Sequence, residues 1–226
     1  MLIFDFFAGT GSATQAFHDA GHRVVKIELD EQFSADERDI LSISADYLVT
    51  KYGQPDFVWA SPPCTTFSVA SCGTYWTPDG KPKNEKAIAG LKMFEHTISL
   101  IRELKPTKGF IIENPRGMLR KQSIMDFMDR RTVTYCTYGE TRMKPTDLWG
   151  GFPPSLVLAE PCKNGDPCHV SAPRGSRTEG SIQGIQGKDS DALRAKVPYE
   201  LSLAVCMAAE RDFGANAARL QGVLFA

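Results

Sequence analysis

The chain has no apolar run approaching the roughly 18 residues that a membrane-spanning helix needs, so a soluble protein with no membrane partner is expected. It has almost no net charge: 26 Lys and Arg against 27 Asp and Glu leave −1. No global field therefore advertises a polyanionic partner, although a local basic face is compatible with one. The six cysteines lack the spacing of a small disulfide framework, and "MLIFDFFAGTGSATQ" has no basic region ahead of an apolar run. A reducing, cytoplasmic compartment follows as the expectation. No internal repeat and no complete G-x-G-x-x-G is present. What is there is a chain of 226 residues, about one globular domain with a small insert, long enough to bury a sizeable core.

Along that chain short apolar runs alternate with helical spacing. "LIFDFFAG" stops at Gly9, and "SATQAFHDAG" then places Ala13, Ala16, Phe17 and Ala20 on one side, which reads as strand, glycine turn, helix. "RVVKIELD", "DFVWASPPC" and "KGFIIENP" read as further strands and "MFEHTISLIREL" as a helix. The alternation continues through "RTVTYCTYG". Such alternation implies a parallel α/β sheet. From about residue 155 to 189 the chain turns rich in Gly, Pro, Ser and Lys/Arg and reads as a loop-rich insert. "VPYELSLAVCMAAERDFG" then returns to helix, with Leu201, Ala204, Val205 and Ala208 on one face.

Small residues where the first strand meets its helix let backbone approach a ligand and turn a helix N-terminus toward it. Glu28 ends the second strand, where a carboxylate can accept from ribose hydroxyls, and Asp39 follows the next turn. Because Gly9 and Gly11 are followed by Thr14 rather than a third glycine, a nucleoside without phosphates fits better than a pyrophosphate. A tight βα turn with no ligand is the competing reading.

In "DFVWASPPCTTFS", Pro62 and Pro63 end a strand and hold Cys64 on a stiff loop at its carboxyl end, where ligands bind in open α/β sheets. A cysteine there becomes a nucleophile if a positive group lowers its pKa; alone it would be a small buried hydrophobe. "IIENPRG" adds a carboxylate, Glu113, at a second strand end followed by proline. One thiol and one carboxylate at two strand ends make a candidate reaction site.

The ordered set "DFFAGTGS", "IELD", "SPPCTTFS", "IIENP" and "VPYEL" resembles the DNA cytosine 5-methyltransferase family over nearly the whole chain outside the insert. The resemblance implies a class I S-adenosylmethionine-dependent, Rossmann-like α/β fold with helices on both sheet faces. It also implies methyl transfer to carbon 5 of cytosine in duplex DNA, with the base flipped out. Cys64 would add to ring position 6, and Glu113 would hydrogen-bond ring nitrogen 3 and read the exocyclic amine, help worth roughly 10²- to 10⁴-fold. For S-adenosylmethionine it implies Phe7 on adenine, Gly9 and Gly11 beneath the methionine part, Glu28 on ribose, and Asp39 and Pro63 at the adenine amine. Asn114 would anchor the Cys64 loop, and Ser68 would lie near the DNA backbone. "YGETRMKPTDLW" matches the family's arginine pattern imperfectly. Thr146 stands at one expected arginine position, and Arg142 or Lys144 remains as the cation. The family's first helix is missing ahead of the first strand, and the helix after Val197 is expected to fill its place. "RAKV" departs from the usual neutral residues, so Arg194 and Lys196 near the cofactor raise carboxymethyl transfer as an alternative.

The division implied is a catalytic domain at 1–154 and 190–226 with a target-recognition insert at 155–189. Lys163, His169, Arg174, Arg177 and Lys188 there suit phosphate contact. The C-x5-C-H spacing of Cys162, Cys168 and His169 is poor for tetrahedral zinc, so no metal is expected. A monomer acting on double-stranded DNA in a prokaryotic or phage-infected cytoplasm, with a cognate restriction enzyme as a compatible partner, completes the expectation. Alternatives are a tRNA cytosine methyltransferase, a non-catalytic base-flipping binding protein and a nicotinamide oxidoreductase.

Overall fold

A computed structural model describes residues 1–169 and 191–212. Six strands form one sheet: β1 (Leu2–Phe6), β2 (Arg23–Ile27), β3 (Phe57–Ala60), β4 (Gly109–Pro115), β5 (Asp129–Thr134) and β6 (Pro145–Gly151), in the order β2-β1-β3-β4-β6-β5. The pairs β1–β2, β1–β3 and β3–β4 are parallel, whereas β6 runs antiparallel to both β4 and β5. The order reverses at β1 and β3, so their carboxyl ends flank the crevice where ligands bind in such sheets.

Alternate residues of the central strands feed two cores, as a period of two requires. Phe4, Phe6, Val58, Phe110 and Ile112 face one core, together with α2 (Ala45–Tyr52) and α4 (Glu85–Leu104). Ile3, Phe57, Trp59 and Ile111 face the other, with α1 (Gln15–Asp19) and α6 (Tyr199–Arg211). Asn84 starts α4 by accepting from the Ala87 N–H, a side-chain N-cap. Two single-turn helices, α3 (Cys72–Tyr75) and α5 (Asp191–Ala195), complete the set among the described residues.

Helix α6 packs beside α1. The Ser202 hydroxyl donates to the Ala13 carbonyl at 2.7 Å and accepts from the Ala16 N–H at 3.2 Å, while the Val197 N–H donates to Ser12 Oγ at 3.0 Å. Two assigned faces shift. Ala20 is exposed because α1 stops at Asp19, and Ala204 is only half-buried while Ser202 and Cys206 take the inner positions. Helix α2 and strand β6 have no counterpart in the sequence reading. The latter begins at a proline, which a strand tolerates at its first residue, and ends on two glycines pressed against Phe110 and Ile111. Residues 155 to 169 contain no helix or strand, and residues 170–190 of the expected insert lie outside the described residues.

Candidate active site

The carboxyl ends of β1, β3 and β4 open onto a cavity of about 950 Å³ that Cys64 and Glu113 both line. At the β1 end, Phe7 lines it in a left-handed conformation (φ 59°), a strained geometry for a non-glycine residue that concentrates at functional sites. The Gly9 N–H donates to Glu28 Oε2 at 2.7 Å and the Asp30 N–H to Oε1 at 2.9 Å, so Glu28, the residue after β2, is locked across the glycine turn. Each oxygen retains a lone pair for a further donor. Asp39 Oδ1 accepts from the Leu41 N–H at 3.0 Å, capping the short 3₁₀ turn Ile40–Ser42 at the cavity wall. Gly11 does not line the cavity. Its left-handed backbone (φ 75°) lies against Lys26, whose ammonium occupies the space a Cβ would need.

The double-proline loop is fixed from two sides. Asn114 Nδ2 donates to the Pro62 carbonyl at 2.9 Å, and the Met118 N–H to the Phe67 carbonyl at 2.7 Å. Gly117 meets that same carbonyl so closely that any side chain would collide with it. Beneath, the Phe67 ring packs against Trp76 and Phe94 with centroids 5.1 and 5.0 Å away, and Trp76 Nε1 donates to the Thr66 carbonyl at 2.8 Å. The Cys64 carbonyl accepts from the Phe67 and Ser68 N–H groups, closing a turn that leaves Pro63, Cys64 and Ser68 on the cavity wall. Burial pushes the Cys64 thiol above its ordinary pKa, and the Glu113 charge adds to this. Lys144 and Arg194 oppose the rise.

Glu113 is buried, and its Oε1 accepts a 2.9 Å hydrogen bond from the Tyr135 hydroxyl. Lys144 is buried on the same wall, with Nζ 4.5 Å from the Tyr135 ring centroid and donating to the Arg194 carbonyl at 3.0 Å. Of the two cations left open by the sequence, Lys144 therefore joins Cys64 and Glu113. Arg142 lines a small adjoining hollow with Glu140 and Lys196 instead. Thr146 is fully buried opposite Pro115 on β4.

Sequence reasoning missed Tyr135, Leu29 and Ile40. Tyr135 sits just past β5 in "TVTYCTYG", and no spacing links it to Glu113. Leu29, 67% exposed, and the buried Ile40 both line the cavity and add apolar surface to the wall that holds Glu28 and Asp39. An exposed leucine directly after the strand-end acid was the available signal. Lys163 lies on the described surface, whereas Arg174, Arg177 and Lys188 fall outside the described residues. The expectation of no metal meets a further juxtaposition: Cys136, from upstream, joins Cys162, Cys168 and His169.

A phosphate-free nucleoside with a charged tail fits these donors. Beside the glycine turn the lining is Glu28, Asp30 and Asp39 with the apolar Phe7, Leu29 and Ile40. The one cation there among the described residues, Arg38, donates to the Glu28, Asp30 and Phe33 carbonyls, so carboxylates suited to hydroxyl and amine donors outnumber groups suited to a pyrophosphate.

Residues 1 to 129 match the family described as C-5 cytosine-specific DNA methylase. The chain is 32% identical over 178 residues to a "Probable DNA (cytosine-5)-methyltransferase" of Frog virus 3 (isolate Goorha), covering 73% of this chain and 78% of that one. Among solved structures it resembles a prophage-encoded protein from E. coli described as a DNA modification methyltransferase, with a TM-score of 0.50 and 18% identity over 66% of this chain and 46% of that one. S. pombe Dnmt2 methyltransferase gives a TM-score of 0.46 and 14% identity over 66% and 50%. The chain thus spans about half the length of these solved structures.

Proposed function

The chain belongs to the C-5 cytosine-specific DNA methylase family, and from that premise we propose that it methylates carbon 5 of cytosine in duplex DNA through a covalent adduct at Cys64. The observation that carries this reading is that Cys64, Glu113 and Lys144 line one cavity with the nucleoside-like wall of Phe7, Glu28 and Asp39.

S-adenosylmethionine, when bound there, supplies an electrophilic methyl group. Phe7, Leu29 and Ile40 would offer it apolar surface, Glu28 and Asp39 would accept from its hydroxyl and amine groups, and Gly9 would let it approach backbone. The remaining chemistry belongs to the chain's own side chains. Carbon 5 of cytosine is a poor nucleophile until the Cys64 thiolate adds to carbon 6 and the ring becomes enamine-like. Tyr135 occupies Glu113 Oε1, which leaves Oε2 to face ring nitrogen 3 and the exocyclic amine. Lys144 places positive charge where the thiolate must form. Asn114 and Gly117 hold the loop so that the thiol and carboxylate keep their separation.

A cytosine stacked in a helix cannot offer carbon 6 to Cys64, so the nucleotide rotates out, at a cost of a few kcal/mol. If the expected insert at 155–189 supplies the base contacts, its small size leaves space for few of them and confines recognition to a short site of about two to four base pairs. The enzyme acts as a cytoplasmic monomer in a prokaryotic or phage-infected cell, compatible with a restriction partner.

Duplex DNA bearing 5-fluorocytosine tests this directly. A stable protein–DNA adduct forms with S-adenosylmethionine present, because the final proton cannot leave, and Cys64→Ser abolishes it. An unchanged adduct yield in that variant removes Cys64 from the chemistry. Activity on tRNA but on no duplex replaces the substrate class. Arg194 also lines the cavity, so nucleoside mass spectrometry is part of the assay: 5-methylcytosine is expected, and a carboxymethyl product would make that cation cofactor-selecting.

A further inference from the structure

Outside the methyl-transfer site, four metal-ligating side chains converge from two distant parts of the chain. Cys136 lies in the 3₁₀ turn Tyr135–Tyr138 after β5, while Cys162, Cys168 and His169 flank a tight turn at residues 163 to 166. Cys136 Sγ stands 3.0 Å from Cys162 Sγ and 3.7 Å from Cys168 Sγ. His169 Nδ1 stands 3.6 Å from Cys162 Sγ and 3.4 Å from Cys168 Sγ. All four ligand atoms lie within 4.8 Å of one another.

We propose that Cys136, Cys162, Cys168 and His169 form a structural zinc site that staples the segment 162–169 to the end of β5. Zn–S bonds of about 2.3 Å and a Zn–N bond of about 2.0 Å give tetrahedral edges of roughly 3.8 Å between sulfurs and 3.5 Å between sulfur and nitrogen. Three of the four separations above match those edges within a few tenths of an ångström, and the fourth, Cys136 to Cys162, is short and widens to the edge length by a small rotation of either cysteine. A disulfide explains less. Its S–S bond is about 2.05 Å, and pairing Cys136 with Cys162 would leave Cys168 and an imidazole nitrogen crowded against it for no gain. Three thiolates and one imidazole in a closed set select zinc over hard cations and leave no open position for catalysis.

The surrounding chain is built to present these ligands. The Cys162 N–H donates to Thr134 Oγ1 at 2.9 Å, which fixes that cysteine against β5. Between Cys162 and Cys168, the Lys163 N–H donates to Asp166 Oδ2 at 2.6 Å and the Asp166 N–H returns to the Lys163 carbonyl at 3.1 Å, with Gly165 left-handed (φ 98°). His169 Nε2 is buried with no partner among the described residues, so the ring's polar contacts are the sulfurs alone. A second trio, His22, Cys206 and Glu210, also gathers within reach of an ion. There the imidazole is already satisfied, by the Met1 amine at 3.1 Å and Glu210 Oε1 at 2.8 Å. That trio needs no cation.

On binding, each thiol releases its proton to solvent and His169 ligates as neutral imidazole, so the centre carries a net −1 and no oxidation occurs. Its consequence for the rest of the molecule follows from the chain. Cys136 is the neighbour of Tyr135, whose hydroxyl holds Glu113, so the staple is a positioning device for that turn and not a catalytic residue.

The test uses the full-length protein purified under reducing conditions from zinc-supplemented culture, with metal content measured by mass spectrometry. About one zinc per chain is expected. Cys162→Ser and His169→Ala should each lower it several-fold, while Cys72→Ser, which removes an unrelated thiol, should leave it unchanged. Cobalt(II) taken up by the zinc-stripped wild type should show the thiolate charge-transfer and intense visible bands of a tetrahedral sulfur-rich site. Zinc removal should lower the melting temperature of wild type and not that of Cys162→Ser. Because a destabilised variant can lose metal by unfolding, the cobalt spectrum of wild type is decisive on its own. Protein with no bound zinc and no cobalt uptake, or a Cys136–Cys162 disulfide recovered in its place, overturns the assignment. Neither result bears on the Cys64 adduct, which is scored separately.

Discussion

Tyr135 Oη donates a 2.9 Å hydrogen bond to Glu113 Oε1, joining the turn after β5 to the carboxyl end of β4 inside the candidate active site. Burial first, then the Glu113 charge, pushes the Tyr135 hydroxyl well above its ordinary pKa, so it remains a donor throughout the working range. Tyr135→Phe deletes that donor while keeping the ring beside Lys144. Losing a hydrogen bond to a charged group costs about 1.5 to 3 kcal/mol, so kcat should fall roughly 10- to 100-fold. The KM for S-adenosylmethionine should stay near wild type, since Phe7, Glu28 and Asp39 are untouched. Wild-type kcat in the variant would show that Glu113 is oriented without Tyr135.

Cys64 gives a prediction in which two neighbours act in opposite directions. Its thiol is raised by burial and by Glu113 and lowered by Lys144. Alkylation of Cys64, followed by peptide mass spectrometry, should therefore be slow at neutral pH in free enzyme and accelerate in the alkaline range. Glu113→Gln removes a negative neighbour, so alkylation should become faster at a given pH although methylation is lost. Lys144→Met should make it slower. Equal rates in all three proteins would mean that neither charge reaches the thiol.

Much of this site is legible in the sequence because backbone constraints write it there. Two prolines before Cys64, a proline after Glu113-Asn114 and glycines at 9 and 11 each mark where a strand must stop, and strand ends are where this fold binds ligands. The contributions that escape the sequence are long-range. Tyr135 meets Glu113 only because β6 returns antiparallel between β4 and β5, and "KPTDLWGG" carries no alternation that announces a strand. Cys136 meets Cys162 across the end of β5, so a spacing rule applied to "CKNGDPCH" alone had one ligand too few. Helix α2 does carry a stripe, Ala45, Leu48, Val49 and Tyr52 at helical spacing and packed on the core, but over only two turns, too short a run to stand out from the polar stretch around it.

Asp5 links the glycine turn to pH. It is fully buried in β1, Thr14 Oγ1 donates to its Oδ2 at 2.6 Å, and its Oδ1 has no partner among the described residues. Burial raises its pKa from 3.8 to about 7. The folded state then holds a proton that the unfolded chain has released, so stability is lost as pH rises from about 4 through about 7. The full loss is on the order of 4 kcal/mol. Asp5→Asn keeps an acceptor for Thr14 and cannot ionise. Urea denaturation across that range should show the variant gaining stability relative to wild type as pH rises. Parallel curves for the two proteins would mean that Asp5 titrates normally.

The last prediction concerns what holds β6 beside the site. Asp147 lies fully buried on β6, opposite Asn114 on β4 and Thr132 on β5. Arg120 reaches it with two charge-assisted bonds, Nε to Oδ2 at 2.6 Å and Nη2 to Oδ1 at 2.5 Å, and Thr132 Oγ1 donates to Oδ1 at 2.7 Å. The pair ties the 3₁₀ turn Met118–Lys121, which follows the Gly117 contact with the Cys64 loop, to the strand that Lys144 immediately precedes. Arg120→Ala would strand a carboxylate that has lost its water, at a cost of roughly 3 to 5 kcal/mol. Asp147→Asn leaves a neutral group that still accepts from Thr132 and should cost less. Replacing both, as Arg120→Met with Asp147→Leu, should recover much of the loss, because apolar packing substitutes for a buried pair more easily than either charge survives alone. Chemical denaturation of the three variants decides it. A loss under about 1 kcal/mol in Arg120→Ala would place the pair with solvent-screened surface bridges and remove it as a support of the site.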